Sequence, residues 1–159
     1  MNTHYSALLS APTLEGAMND LQQILEHSRV WSEPQQVAGA WNARQVIGHL
    51  IDSAANNHQR FVRAQIPAHL TDGRLEIAGY AQNDWVRVGG YEARGWDELL
   101  ELWRALNAQI LHVMRTADPS SLNVPVVIGG SDPQSLEAIM IDYVGHLRHH
   151  LQSLRLQEA

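Results

Sequence analysis

Four stretches of this sequence carry apolar residues at steps of three and four, the spacing that gathers them on one face of an α-helix. The first runs from about Thr13 to Val30, with Leu14, Met18, Leu21 and Leu25 as its stripe, and ends before Ser32-Glu33-Pro34, whose proline cannot continue a helix. The second opens at Asn42, where Asn42-Ala43-Arg44-Gln45 has the form of a capping box, and continues to about Gln65 through Val46, Ile47, Leu50, Ala54, Phe61 and Val62. The third spans about Trp96 to Thr116, between Gly95 and Asp118-Pro119. The fourth starts between Asp132 and Ser135 and runs to about Leu156. Four helices of this length predict an all-α four-helix bundle. A chain of 159 residues suits one domain, so residues 1–159 are expected to form a single unit.

The connections differ in length. Residues 67–94 exceed what a bundle turn requires, and segments of that size usually carry function. They hold Tyr80, Gln82, Asn83, Trp85 and Tyr91, more aromatic content than a disordered linker has, and are expected to form a lid or pocket wall. Val124-Pro125-Val126-Val127-Ile128-Gly129-Gly130 is suited to a short extended piece.

Composition removes several chemistries. The chain has no cysteine, and its 11 basic residues are all arginine, against 17 acids, for a formal charge of −6. That excludes a disulfide framework, thiolate nucleophiles and ligands, Schiff-base chemistry and a P-loop. Arg60 and Arg63 are the nearest approach to a basic cluster, so no nucleic-acid partner is expected. No apolar run approaches a membrane span, and Met1-Asn2-Thr3-His4 does not open a secretory signal, so a cytoplasmic protein without a membrane partner is expected. Histidine, carboxylate and a borrowed ion remain.

Nine histidines are present. His146 and His150, four apart in the fourth helix, fall about 40° apart around the axis and one turn apart along it, close enough to share an ion. Two ligands are not a site, and such a pair is as often a pair of core histidines satisfied by neighbouring hydroxyls. His49 supplies a third inward imidazole from the second helix. Three histidines with no cysteine to close the shell form an open arrangement. His149 competes with His150, but it turns about 100° away and is expected at the rim or beneath the site. His58 lies half a turn around from His49, and His112 falls on the polar side of the third helix. Asp52 and Asp142 are within helical reach of the ligands as partners for their other ring nitrogens. Asn56, Tyr80, Gln82, Trp85 and Tyr143 are candidates for the substrate pocket. No individual catalytic side chain stands out.

Together, Trp41 to Ser53 with its His49-Leu50-Ile51-Asp52-Ser53, then Asn57-His58-Gln59-Arg60-Phe61, Tyr80-Ala81-Gln82-Asn83-Asp84-Trp85 and Gly145-His146-Leu147-Arg148-His149-His150-Leu151-Gln152 resemble the DinB/YfiT-like superfamily. The resemblance covers almost the whole chain. It implies a four-helix bundle with a long connection between the second and third helices, often a homodimer. His49, His146 and His150 would then hold a divalent ion, zinc or nickel. It also implies a small-molecule substrate and transfer or isomerisation with a low-molecular-weight thiol such as bacillithiol, mycothiol or glutathione, with metal-dependent hydrolysis as the alternative. Ala54 and Leu147 stand where the family often has an acid.

The first expectation is therefore a metal-dependent thiol transferase, with a hydrolase second and a non-catalytic metal-binding dimer third. A metal centre of this kind is expected to lose its ion as pH falls through about 6, because protonated imidazole does not ligate.

Overall fold

The structure, a computed structural model, describes residues 13–154. Its long helices are α1 (Leu14–His27), α2 (Ala43–Arg63), α4 (Trp96–Arg115) and α5 (Leu136–Leu154), with the shorter α3 (Gln82–Gly89) between α2 and α4. The starts follow the capping chemistry of the sequence. Thr13 Oγ1 accepts from the Gly16 amide at 3.0 Å. At Asn42 the box closes in both directions, its Oδ1 accepting from the Gln45 amide at 2.9 Å and Gln45 Oε1 from the Asn42 amide at 3.0 Å. Such a cap contributes about 1 kcal/mol.

Packing explains which helices face each other. α2 packs on α4 and α5, and α1 packs on the same two, so α1 and α2 occupy opposite corners of the bundle although they are consecutive. Residues 28–42 make that diagonal crossing. The core between the helices includes Leu21, Ile47, Phe61, Leu99, Trp103, Ile110, Leu136, Met140 and Leu147, all fully buried. Trp31, from the crossing segment, packs on Trp103 with ring centroids 5.5 Å apart.

Three features go beyond or depart from the sequence-based expectation. First, a small sheet accompanies the bundle, of which the extended piece within residues 124–130 was expected and its two partner strands were not. β1 (Leu75–Ile77) lies parallel to β2 (Pro125–Ile128) with Leu75 opposite Val126, and β3 (Gln134–Ser135) runs antiparallel to β2. A parallel pair needs a long crossover, here α3 and α4. Second, Asp132-Pro133 do not begin the fourth helix. Gln134 and Ser135 are held by β2, and α5 opens only at Leu136. The amides of Leu136 and Glu137 then donate to the carbonyls of Val124 and Leu122 at 2.9 and 3.0 Å, while Ser135 Oγ accepts from Ala138. Those bonds satisfy donors that a helix start leaves open. Third, α1 ends at His27, and residues 28–30 tighten into a 3₁₀ turn.

The segment 67–94 is ordered, with β1 in the sheet and α3 packed on α2. The expected end of the last helix near Leu156 and the residue His4 lie outside the described residues. Among the described residues no helix is long and apolar enough to cross a membrane.

Candidate metal centre

The α2–α5 contact brings His49 onto the histidine pair. His49 is 1% exposed, while His150 is partly exposed and His146 exposed. The Nε2 atoms of His146 and His150 lie 3.1 Å apart. The His49 ring centroid is 5.3 Å from that of His146 and 4.6 Å from that of His150. One ligand atom from each residue lies within 4.8 Å of the others. Two metal–nitrogen bonds of about 2.0–2.1 Å at tetrahedral or octahedral angles separate their donors by roughly 2.9–3.4 Å, which brackets the pair on α5.

Among the described residues, neither ring nitrogen of His49 has a hydrogen-bond partner, and both are buried. A buried polar atom left so costs about 1–3 kcal/mol. A cation accepting one of those lone pairs removes part of that cost, so the donor set fits a divalent ion. The electrostatics agree. Burial, reinforced by His150 and His146, pushes the His49 imidazole down to about 4. Burial, with His146 and His149 beside it, pushes His150 to about 4, and burial followed by His149 lowers His146. All three rings are therefore neutral near pH 7, the form that ligates.

The walls are specific to this face of α2. Trp41 lies against the His49 ring at 5.0 Å between centroids. One residue before His49, the Tyr91 ring presses onto the α2 backbone at Gly48, where an added Cβ would fall inside the ring. Glycine within a helix costs about 1 kcal/mol relative to alanine, and here the close approach requires it. The Tyr91 hydroxyl donates to Asp52 Oδ1. Burial raises the Asp52 carboxyl, partly opposed by that bond, and Asp52 Oδ2 is buried without a partner. On the opposite side of α5, Arg148 Nη1 reaches Asp20 Oδ2 on α1 at 3.0 Å and sets the rotation of the helix that carries the pair.

The other candidates scatter. Asp52 engages Tyr91 rather than a histidine. Asp142 is exposed beside His146, and His149 is exposed with its ring 5.6 Å from that of His150. Tyr143 is fully buried in its ring and donates to Asn107 Oδ1 at 2.6 Å. Asn56 donates back to the Asp52 carbonyl at 2.9 Å. Gln82 and Trp85 are exposed on α3, and Trp85 packs on Tyr80 at 5.2 Å.

Two clefts lie near this centre. The wider, about 820 Å³, is formed by residues 33–37, 40–44 and Glu92 and includes none of the three histidines. The narrower, about 240 Å³, is lined by Ser53, Asn57, Arg60, Tyr80, Ile128, Gln134, Ile139, Asp142, Tyr143 and His146. Of the three histidines, His146 lines it. Ser53, Asn57 and Arg60 are additions to the residues singled out from sequence. Their signal was the spacing from His49, steps of four, four and three.

A sequence profile of the DinB superfamily matches residues 13–154. A protein of Bacillus mycoides (strain KBAB4), whose name proposes metal-dependent hydrolysis, is 26% identical over 137 residues, 86% of this chain and 72% of that one. The solved structure of YfiT from Bacillus subtilis, described as a proposed metal-dependent hydrolase with an unusual four-helix bundle topology, superposes with a TM-score of 0.64. It covers 97% of this chain and 85% of that one at 21% identity, a likeness of fold.

Proposed function

This chain belongs to the DinB superfamily, and from that membership and its three-histidine centre we propose a metal-dependent enzyme that joins a low-molecular-weight thiol to a small electrophile. His49, His146 and His150 would hold one divalent ion, zinc or nickel, both of which suit neutral imidazole. Such an ion supplies Lewis acidity, drawing a nucleophile towards its anion at neutral pH and polarising an electrophile. The chain's own residues do the rest. Trp41 and the Tyr91–Asp52 pair fix the face of α2 that carries His49. Tyr80, Tyr143 and Ile139 give the cleft apolar walls, and exposed His146 marks its mouth.

The observation that favours a thiol over water is that Asp52, the acid nearest His49 along α2, is engaged by Tyr91, which leaves exposed Asp142 as the one carboxylate in the cleft lining. Zinc hydrolases of the H-E-x-x-H kind rely on a neighbouring glutamate as base. A thiol, with an ordinary pKa of about 8.5, needs less help. Hydrolysis is the second reading, supported by the names of the two Bacillus relatives. A homodimer in the cytoplasm belongs to the same proposal.

The test is elemental analysis of the purified protein, followed by thiol consumption against a panel of electrophiles with and without chelator. Metal-dependent loss of thiol is expected. Metal-dependent cleavage of esters or amides that proceeds without any thiol would replace this reading by the second.

A further inference from the structure

The cleft beside the metal centre holds a cation that the fold leaves uncompensated. His49, Ser53, Asn57 and Arg60 follow one another along α2 at steps of four, four and three residues, so they share one face of the helix. All four are buried. An amphipathic helix buries apolar residues, yet this stripe is polar from a metal ligand to a guanidinium about 16 Å further along the axis. One cavity is lined by Ser53, Asn57 and Arg60 of this stripe and by His146 of the histidine cluster.

Arg60 is 8% exposed. Its Nη1 donates to Asn57 Oδ1 at 3.3 Å, and its guanidinium carbon lies 5.9 Å from the centre of the Tyr80 ring. Among the described residues, no aspartate or glutamate forms an ion pair with it. Buried charges are ordinarily paired, and a guanidinium has five N–H donors in a planar fork. The one acid in the lining, Asp142, is exposed and lies one turn before His146.

We propose that this cleft binds a small organic monocarboxylate, with Arg60 holding the carboxylate and the reactive end of the molecule directed to His49, His146 and His150. The planar fork matches a carboxylate. A single cation, an acid in the same lining and a net charge of −6 favour a monoanion over a phosphate dianion. The volume, about 240 Å³, is below that of drug-sized pockets and suits a small acid. The fate of the reactive end rests on the metal-dependent reading above, whereas the carboxylate site rests on Arg60 alone.

Titrating hexanoate and hexanamide into the wild-type protein, Arg60→Gln and Arg60→Lys, followed by NMR, separates the two. Hexanoate should bind the wild type, with hexanamide at least about tenfold weaker. Arg60→Gln should weaken hexanoate by at least about tenfold, the loss of a charge-assisted pair. Arg60→Lys should fall between, and zinc affinity should be the same in all three. Equal hexanoate affinity in wild type and Arg60→Gln, equal affinity for acid and amide, or no hexanoate binding by the wild type would overturn the proposal. If circular dichroism shows Arg60→Gln unfolded, the acid–amide pair on the wild type decides. Hexanoate binding without any zinc uptake would sink the enzyme reading and leave this site standing. Zinc uptake without hexanoate binding would do the reverse.

Discussion

Each of the two clefts contains an arginine, and the two arginines differ in how fully the fold satisfies them. In the wider cleft Arg44 places Nε and Nη2 on the two carboxylate oxygens of Glu33 at 2.7 and 3.0 Å, and Nη1 on the Arg94 carbonyl at 2.7 Å. It is a strut between the crossing segment, α2 and the start of α4. In the narrower cleft Arg60 makes one hydrogen bond of 3.3 Å to a neutral amide. The cleft of about 820 Å³ thus holds an arginine whose charge is answered by Glu33, and that of about 240 Å³ holds one that no acid among the described residues answers. Volume does not mark a site here. A polar group that the fold buries and leaves short of partners does, and His49 passes the same test.

The contrast breaks most completely if the ligands are removed. The His49→Ala/His146→Ala protein should carry no stoichiometric metal by elemental analysis, whereas retention would place the ion elsewhere. Gly48→Ala comes next. The added methyl must push the Tyr91 ring off α2 and strip Asp52 of its donor, so a loss of about 2–4 kcal/mol is expected in chemical denaturation. Unchanged stability would mean that Tyr91 does not sit against that glycine.

Acid should act on the histidine end. The His49 and His150 imidazoles are depressed from about 6.5 in the unfolded chain to about 4 in the folded one. Between those values the unfolded state binds protons that the folded state does not. Metal-free stability is therefore full above about pH 6.5, is lost as pH falls, and levels off below about 4. For His49 the loss is on the order of 2–3 kcal/mol. Asp52, raised by burial, has the opposite sign and offsets part of it. The same depression moves release of the ion below the pH 6 expected from sequence, since protons compete weakly for such rings. A pH series of melting curves with and without zinc checks both. The smallest effect belongs to the wider cleft. Arg44→Gln should leave zinc uptake and hexanoate affinity unchanged, and a change in either would erase the distinction between the two arginines.

Much of this was legible in the residue order, and what was not had physical reasons. The capping box at Asn42 and the apolar stripes are local signals, and they place α2 and α4 almost to the residue. His49, His146 and His150 follow from spacing once the helices are known. Asp52 was misdirected by helical reach, because its partner Tyr91 comes from 39 residues away. Leu75-Glu76-Ile77 is too short to show alternation, and its pairing with Val126 is non-local. Arg60 reads from sequence as part of a basic turn with Arg63. Only the return of Tyr80 over α2 encloses it. The start of α5 falls at the late edge of the range expected from sequence, since strand pairing takes Gln134 and Ser135 before a helix can.

The division of the three histidines between α2 and the last described helix orders events in the life of the chain. A nascent polypeptide that has completed everything up to α4 owns one imidazole of the set and has nothing with which to chelate, because the other two arrive on the last described helix. On the function proposed, an ion held by all three histidines would load only once α2 and α5 have come together. Ligand mass action would then make the ion a latch, raising the melting midpoint with its concentration, and a truncation before His146 would forfeit that protection.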